Sequence, residues 1–235
     1  MSIINKLIQK VKKEIAFRTS EGAINYWRSL GIEIGEGSEA PHPKTVQMDV
    51  TRTCLIKIGK NVRLNRDLTI MNHDYAGVVF LRKNNEFINS SGRITIGDNV
   101  YFGRHCTVLK GVTIGDNCII GYGSVVMRDI PANSVAAGTP AKVVCTLDEY
   151  YEKRKKRAMG EAFEYARTIQ ERLHRRPVPA DFYEEFHYFV DGSNADQYPE
   201  IPLRKQLRES YDEWMKEHKR TFDTFDDFLK AAGIE

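Results

Sequence analysis

A chain of 235 residues with 41% apolar side chains can form one large domain, or a domain with an appendage, around a sizeable core. Its 35 basic and 32 acidic side chains leave a formal charge of +3, which gives no reason to expect a nucleic-acid partner. No apolar run approaches the ~20 residues that cross a bilayer, and lysines break the start of the chain unlike a signal peptide, so the cytoplasm is the expected compartment.

In chain order, residues 3–17 place Ile4, Leu7, Ile8, Val11 and Ile15 on one face of a helix, with Lys6, Lys10, Lys12 and Lys13 elsewhere. The expectation is an N-terminal helical cap, residues 1–30, that covers the open end of the fold that follows or packs at a subunit contact. A basic amphipathic helix also suits an anionic membrane surface, so weak contact through residues 1–18 is the alternative.

Beyond the cap the chain steps in sixes. The pattern opens at Ile32-Glu33-Ile34-Gly35, is irregular through Pro41-His42-Pro43, and resumes at Ile58-Gly59-Lys60-Asn61-Val62, with hexads at Leu64 and Ile70. The pentad Ile96-Gly97-Asp98-Asn99-Val100 returns 18 residues later as Ile114-Gly115-Asp116-Asn117-Cys118. Aliphatic or aromatic residues mark each step at Ile96, Phe102, Val108, Ile114, Ile120 and Val126; small or apolar ones follow at Val100, Cys106, Val112, Cys118 and Ser124. Period six fits neither a 3.6-residue helix nor a two-residue strand, but it fits a parallel β-helix in which three hexads close one triangular coil. Asn, Asp and Gly belong at its corners because they reach positive φ at low cost. Cys54, Cys106, Cys118 and Cys145 form no Cys-x-x-Cys pair and are expected to be reduced core residues.

The repeat also works as a ruler. Ile58 to Ile96 spans 38 residues, one 18-residue coil plus 20, so a loop of about that length leaves the coil between Asp74 and Arg93. Its content reads as polar, with Tyr75, Arg82, Lys83, Asn84, Asn85 and Glu86. The β-helical domain is therefore expected over residues 31–146, ending near Pro140-Ala141-Lys142-Val143-Val144. Residues 147–235 form an α-helical extension: a charged helix over 147–176, an aromatic stretch from Phe182 to Phe189 read as core or interface, a helix over 205–219, and a last short helix capped by Thr224 and stopped by Gly233. The fold class is mainly β, a left-handed parallel β-helix with helical ends.

The stretch Ile56–Val144 resembles the hexapeptide-repeat acyltransferases, in particular galactoside and maltose O-acetyltransferases and the sugar O-acetyltransferases of surface-polysaccharide gene clusters. The most specific part is the run from Ile114 through Gly121-Tyr122-Gly123-Ser124 to Val126, with Asp129-Ile130-Pro131 and Ala137-Gly138-Thr139-Pro140-Ala141-Lys142 after it. The resemblance implies a homotrimer with acetyl-CoA in the groove between neighbouring β-helices, and no metal. It also implies a catalytic histidine where the chain leaves the coil for the long loop, which here is His73, with its neighbours Asn72 and Asp74, together with Tyr101 and His105, expected to bind substrate. An imidazole suits the task, since a sugar hydroxyl is a poor nucleophile until a base takes its proton. His105 lies three places after Phe102, as His73 lies three after Ile70, and competes for the role or lines the CoA groove. His73 could also be a simple corner residue, because Asn99 and Asn117 hold the same place in their hexads and His tolerates left-handed backbone.

Tyr101 stands where galactoside acetyltransferases carry a tryptophan beside acceptor and cofactor. On the same resemblance Gly103, Arg104, Gly121, Tyr122, Gly123, Met127, Arg128 and Lys142 line the CoA site; Arg104 and Tyr122 replace small residues, while Arg128 and Lys142 are cations suited to phosphate. No residue matches the family's acceptor-binding polar group one coil earlier, where Thr45 falls nearest. The implied activity is acetyl transfer to a sugar hydroxyl, with N-acetylation of an amino sugar as its variant. Two other classes compete: a γ-carbonic-anhydrase-like metalloenzyme, for which the solenoid offers His42, His73 and His105 without close pairing, and a non-catalytic trimeric scaffold.

Overall fold

The structure, a computed structural model, describes residues 3–235, with side chains from Lys10 onward. The side chains of Ile4, Lys6, Leu7 and Ile8 on the expected amphipathic face lie outside the described residues. The chain divides into two compact units, Met1–Tyr151 and Glu152–Glu235.

The first unit is a coil of three parallel sheets. One holds Glu33–Ile34, Ile56–Ile58, Ile94–Ile96 and Thr113–Ile114; a second holds Val100–Phe102, Cys118–Ile120 and Ser134–Ala137; the third holds Gln47–Met48, Thr69–Met71, Thr107–Leu109 and Val125–Val126. Registers follow the repeat: Val100 pairs with Cys118 and Thr107 with Val125, 18 residues apart, while Ile58 pairs with Ile96 across 38. Inward residues stack into ladders such as Ile34-Ile58-Ile96-Ile114, continued by a bridge from Ile114 to Ile130. Each fully buried Ile in such a ladder contributes roughly 1.5–3 kcal/mol. The last strand, Lys142–Thr146, turns back antiparallel on Ser134–Ala137 and ends the repeat.

Corners carry the backbone strain. Asn61, Asp67, Asn99, His105, Asn117 and Asn133 all have φ between 54° and 60°. Stacking repays part of that cost, since Asn99 Nδ2 donates to Asn117 Oδ1 at 2.8 Å and Asn117 Nδ2 to Asn133 Oδ1 at 3.1 Å. At Gly97 a Cβ would lie 2.3 Å from Asp116 Oδ1, so this corner of the first sheet accepts only glycine without displacement.

Several expectations need correction. Cys106 and Cys118 are buried as expected, but Cys54 is exposed and Cys145 half-buried, because neither occupies the inward hexad position. The excursion contains a helix, Gly77–Asn84, and leaves Tyr75, Val79, Phe80, Leu81, Phe87 and Ile88 exposed, so it is far less polar than its charged residues suggested. Two helices, Ile3–Ala16 and Ser20–Ser29, precede the coil, and Thr19 caps the second by accepting from Gly22 N–H at 3.0 Å. The second covers the core with Ala23, Ile24 and Trp27.

The second unit contains helices and 3-10 turns and, among the described residues, no strand, so helix and strand content is mixed rather than mainly strand. It is fed by the helix Leu147–Leu173, which buries Ala162, Ala166 and Ile169. Phe182, Phe186, Tyr188, Phe189, Phe225 and Phe228 join them in one core. The helix expected over 205–219 is split into Leu203–Leu207 and Tyr211–Glu217 around Arg208 at φ 53°. Thr224 does cap Phe225–Ala231, accepting from Asp227 N–H at 3.1 Å.

Candidate active site

The third sheet positions the candidate residues His73 and its neighbours. After strand Thr69–Met71 the chain exits the coil, and His73–Asp74 pairs antiparallel with Ser90–Ser91 at the base of the loop. Gly92 N–H donates to Asn72 O at 2.9 Å and closes that base. Asp74 forms an ion pair with Lys110, which also hydrogen-bonds Ser90 Oγ, so the loop is tied to the next coil at both of its ends.

One coil earlier, strand Gln47–Met48 lies in register with Thr69–Ile70 and brings Asp49 beside the exit. Asp49 Oδ2 accepts from His73 Nδ1. A carboxylate only accepts, so Nδ1 carries a proton, and in the neutral imidazole the lone pair is then on Nε2. Thr51 braces the carboxylate: its hydroxyl donates to Asp49 Oδ1 at 2.6 Å and its N–H at 3.0 Å, and the same Oγ1 lies 3.1 Å from His73 Nδ1. Burial alone would raise the Asp49 carboxyl, but the Thr51 hydroxyl and N–H, together with His73, outweigh it and hold the group below its ordinary value of 3.8. The Asp49 side chain is 10% exposed and that of His73 25%, so the dyad is sheltered while the imidazole keeps an open edge.

Asn72 is fully buried and acts as a strut, with Nδ2 donating to Arg52 O at 2.8 Å and its N–H to Asp49 Oδ2 at 3.3 Å. Its Oδ1 has no partner among the described residues.

His105 has different surroundings. Its φ of 60° makes it a left-handed corner residue, which His73 is not; its Nε2 lies 3.5 Å from Asp67 Oδ2, and its ring meets Tyr122 edge-on at 5.2 Å. It belongs to the corner row between the second and third sheets, with Gly103, Arg104, Gly121, Tyr122 and Gly123. A Cβ on Gly103 would come within 2.5 Å of Tyr122 N, so successive corners touch through backbone. Gly123, at φ 68°, has open space on its Cβ side, and Tyr122 is 72% exposed, which leaves a bare ridge on which an extended chain can lie.

Met127 and Arg128 follow strand Val125–Val126 and fall on the row of corners that includes Asn72 and Lys110. Apart from Tyr101 and Lys142, the sequence-derived residues therefore lie on two rows, one at each end of the third sheet's strands, about 16 Å apart at ~3.3 Å per residue. Tyr101 faces outward from the second sheet and accepts from Asn65 Nδ2 at 3.4 Å; Lys142 pairs with Ala137 on the closing strand. Thr45 is taken up by its own turn, donating to His42 O at 3.0 Å and accepting from Asp67 N–H at 2.9 Å. His42 contacts Arg66 at 3.4 Å, so the solenoid's three histidines have separate partners. Among the described residues no three His, Cys, Asp or Glu side chains are grouped as metal ligands.

Sequence reasoning missed Asp49 and Thr51. The available signal was register: counting back from Ile70 through Met48 puts Asp49 next to the exit, but the irregular stretch 41–55 hid that coil.

Known proteins resemble this chain in sequence. The family described as "Bacterial transferase hexapeptide (six repeats)" matches residues 93–128. Galactoside O-acetyltransferase of Escherichia coli (strain K12) is 42% identical over 118 residues, 50% of this chain and 55% of that protein, so the chain spans about half the length of this relative. YvoF of Bacillus subtilis (strain 168), assigned by name to the acetyltransferases, is 30% identical over 137 residues, 58% of this chain and 74% of YvoF. Among solved structures, a maltose O-acetyltransferase from Clostridium difficile 630 overlays with a TM-score of 0.41 at 28% identity, covering 58% of this chain and 83% of that one. The chain belongs to the hexapeptide-repeat acetyltransferases.

Proposed function

We propose that the chain is an acetyl-CoA-dependent O-acetyltransferase for a sugar hydroxyl, working in the cytoplasm on surface-polysaccharide or lipopolysaccharide building blocks. The observation that carries the reading is the imidazole at the coil exit, with Nδ1 held by Asp49 and Nε2 left to accept a proton. Acetyl-CoA supplies an activated acyl group. His73 Nε2 takes the proton of the acceptor hydroxyl as its oxygen bonds to the thioester carbonyl carbon; the C–S bond breaks, and the imidazolium returns the proton to the departing sulfur. Asp49 stabilises the transient imidazolium and fixes the ring. Asp74 shapes the acceptor side from the loop base, and Asn72, expected to bind substrate but fully buried, supports that base from within.

In this reading the coil is left-handed and the protein a homotrimer. Two rows of site residues at opposite ends of one sheet do not meet within a chain, but they can face each other across a groove between two copies. There Gly103, Arg104, Gly121, Tyr122 and Gly123 flank the pantetheine arm with His105 and Tyr101 nearby, while Met127, Arg128 and Lys142 serve the sulfur and phosphate ends. Residues 147–235 are an appendage to the 31–146 catalytic domain.

The test is acetyl transfer from acetyl-CoA to a panel of sugars and amino sugars. His73→Ala is expected to lose about 10²- to 10⁴-fold in kcat/KM. Full activity of His73→Ala, or no turnover of any sugar by the native chain, overturns the reading; turnover of amino sugars alone reassigns it to N-acetylation.

A further inference from the structure

Over its described residues, the helix Ile3–Ala16 turns its apolar side chains away from the fold. In a globular fold the apolar stripe of an amphipathic helix faces the core. Here every described side chain from Lys10 to Ile15 is exposed, including Val11 at 49% and Ile15 at 57%, one helical turn apart. The side facing the fold is instead the one bearing Lys13 and Glu14. Lys13 Nζ lies 5.2 Å over the Phe17 ring, and Lys13 and Glu14 line a cavity of about 330 Å³ with Phe17, Tyr26, Trp27 and Lys44. At 100° per residue, Val11 and Ile15 lie more than a quarter-turn away from that side. In sequence the stripe continues through Ile4, Leu7 and Ile8, and the open end of the coil is already covered by Ala23, Ile24 and Trp27 of the next helix.

We infer that this helix is an interfacial anchor whose apolar stripe, with Lys10 and Lys12 at its edges, lies in the headgroup region of an anionic lipid bilayer. Charge favours this occupant. Residues 1–18 carry Lys6, Lys10, Lys12, Lys13 and Arg18 against the single carboxylate Glu14, which complements anionic headgroups. A stripe-to-stripe contact between copies of the chain would bring those lysines together instead. Surface attachment is compatible with the rest of the fold, since no described helix is long and apolar enough to cross a membrane.

The test is co-sedimentation of the full chain with phosphatidylcholine vesicles and with vesicles that also contain phosphatidylglycerol. Binding is expected to the anionic vesicles only, weakening as salt rises. Neutralising two lysines in Lys10→Gln/Lys12→Gln should lower partition about 25-fold, at roughly fivefold per basic residue near the surface. Val11→Ser/Ile15→Ser should lower it roughly tenfold or more through lost apolar burial. All four positions are exposed, so an unchanged melting temperature establishes that the variants remain folded. The inference is overturned if the native chain fails to bind anionic vesicles at low salt. It is also overturned if Val11→Ser/Ile15→Ser binds as well as native, which would route binding through another surface such as the basic run 153–157. A fall in oligomer mass for that variant without vesicles would assign the stripe to a second copy. The readout is vesicle partition rather than turnover, so failure here is distinct from failure of the proposed reaction.

Discussion

The two units bury similar kinds of side chain by different rules. In the coil each inward residue meets its counterparts one coil above and below, so Ile58, Ile96 and Ile114 form a line and contacts are set by register. In the helical unit one residue touches many: Phe228 lies within 6.3 Å of the rings of Phe163, Phe182, Tyr188, Phe189, Phe222 and Phe225. A stacked core is close to a sum of nearest-neighbour terms, whereas a hub core gains and loses its contacts together. The site uses the first rule. Asp49 and His73 meet because adjacent coils are in register, and each can be replaced without disturbing a distant layer.

The largest expected effect is on that pair. His73→Ala should cost about 10²- to 10⁴-fold in transfer, and Asp49→Asn should cost at least about tenfold with the fold intact, because the amide no longer fixes Nδ1–H. His105→Ala should cost far less; equal losses at His73 and His105 would break the distinction between exit and corner histidines. Next is the hub. Phe228→Ala should destabilise the helical unit by about 3–5 kcal/mol, read by urea unfolding through Trp214 in a Trp27→Phe background, which leaves one tryptophan as a reporter.

Asp191 gives a pH test in the same unit. The Ser193 hydroxyl, opposed by burial and helped by the N–H groups of Ser193 and Arg220 and by the Arg220 guanidinium, lowers its carboxyl to about 2. Because the folded value is depressed below 3.8, this stabilisation is present above that pH and is lost as pH falls toward 2. Asp191→Asn should remove that acid dependence; an unchanged acid limb would place the sensitivity elsewhere. In the coil, Ile114→Val should cost only about 0.5–1.5 kcal/mol, a local loss of one methyl. The smallest effect is at a corner: Asn117→Gly should change stability by a few tenths of a kcal/mol, since glycine keeps positive φ and loses only the Asn ladder, while Asn117→Ala should cost about 1–2 kcal/mol. A large loss for Asn117→Gly would mean that the ladder, and not the backbone angle, holds the corner.

The sequence was legible where structure is local and periodic. The inward positions Val100, Cys106, Val112, Cys118 and Ser124 are all buried, and Ile58 pairs with Ile96 across the 38 residues between them. It was illegible where contacts cross irregular stretches. Thr51 and Asp49 reach His73 over 22 and 24 residues through a coil interrupted by 3-10 turns at Pro43–Thr45 and Thr53–Leu55, so no spacing announced them. The orientation of the first helix was hidden for a related reason: its pattern marks an apolar face but not what that face meets.

By itself, then, the sequence determined the hexad coil, its corners, the loop and the histidine at the loop's exit, because a six-residue period repeats the same short-range geometry at every step. Only the tertiary structure decided that Asp49 holds that histidine and that His105 is a left-handed corner. It also showed that Ala23, Ile24 and Trp27 of the second helix enter the core, while Lys10 to Ile15 of the first are exposed. Those outcomes depend on which coil lies against which, and on which surface remains once the core is filled, and neither is encoded within one repeat.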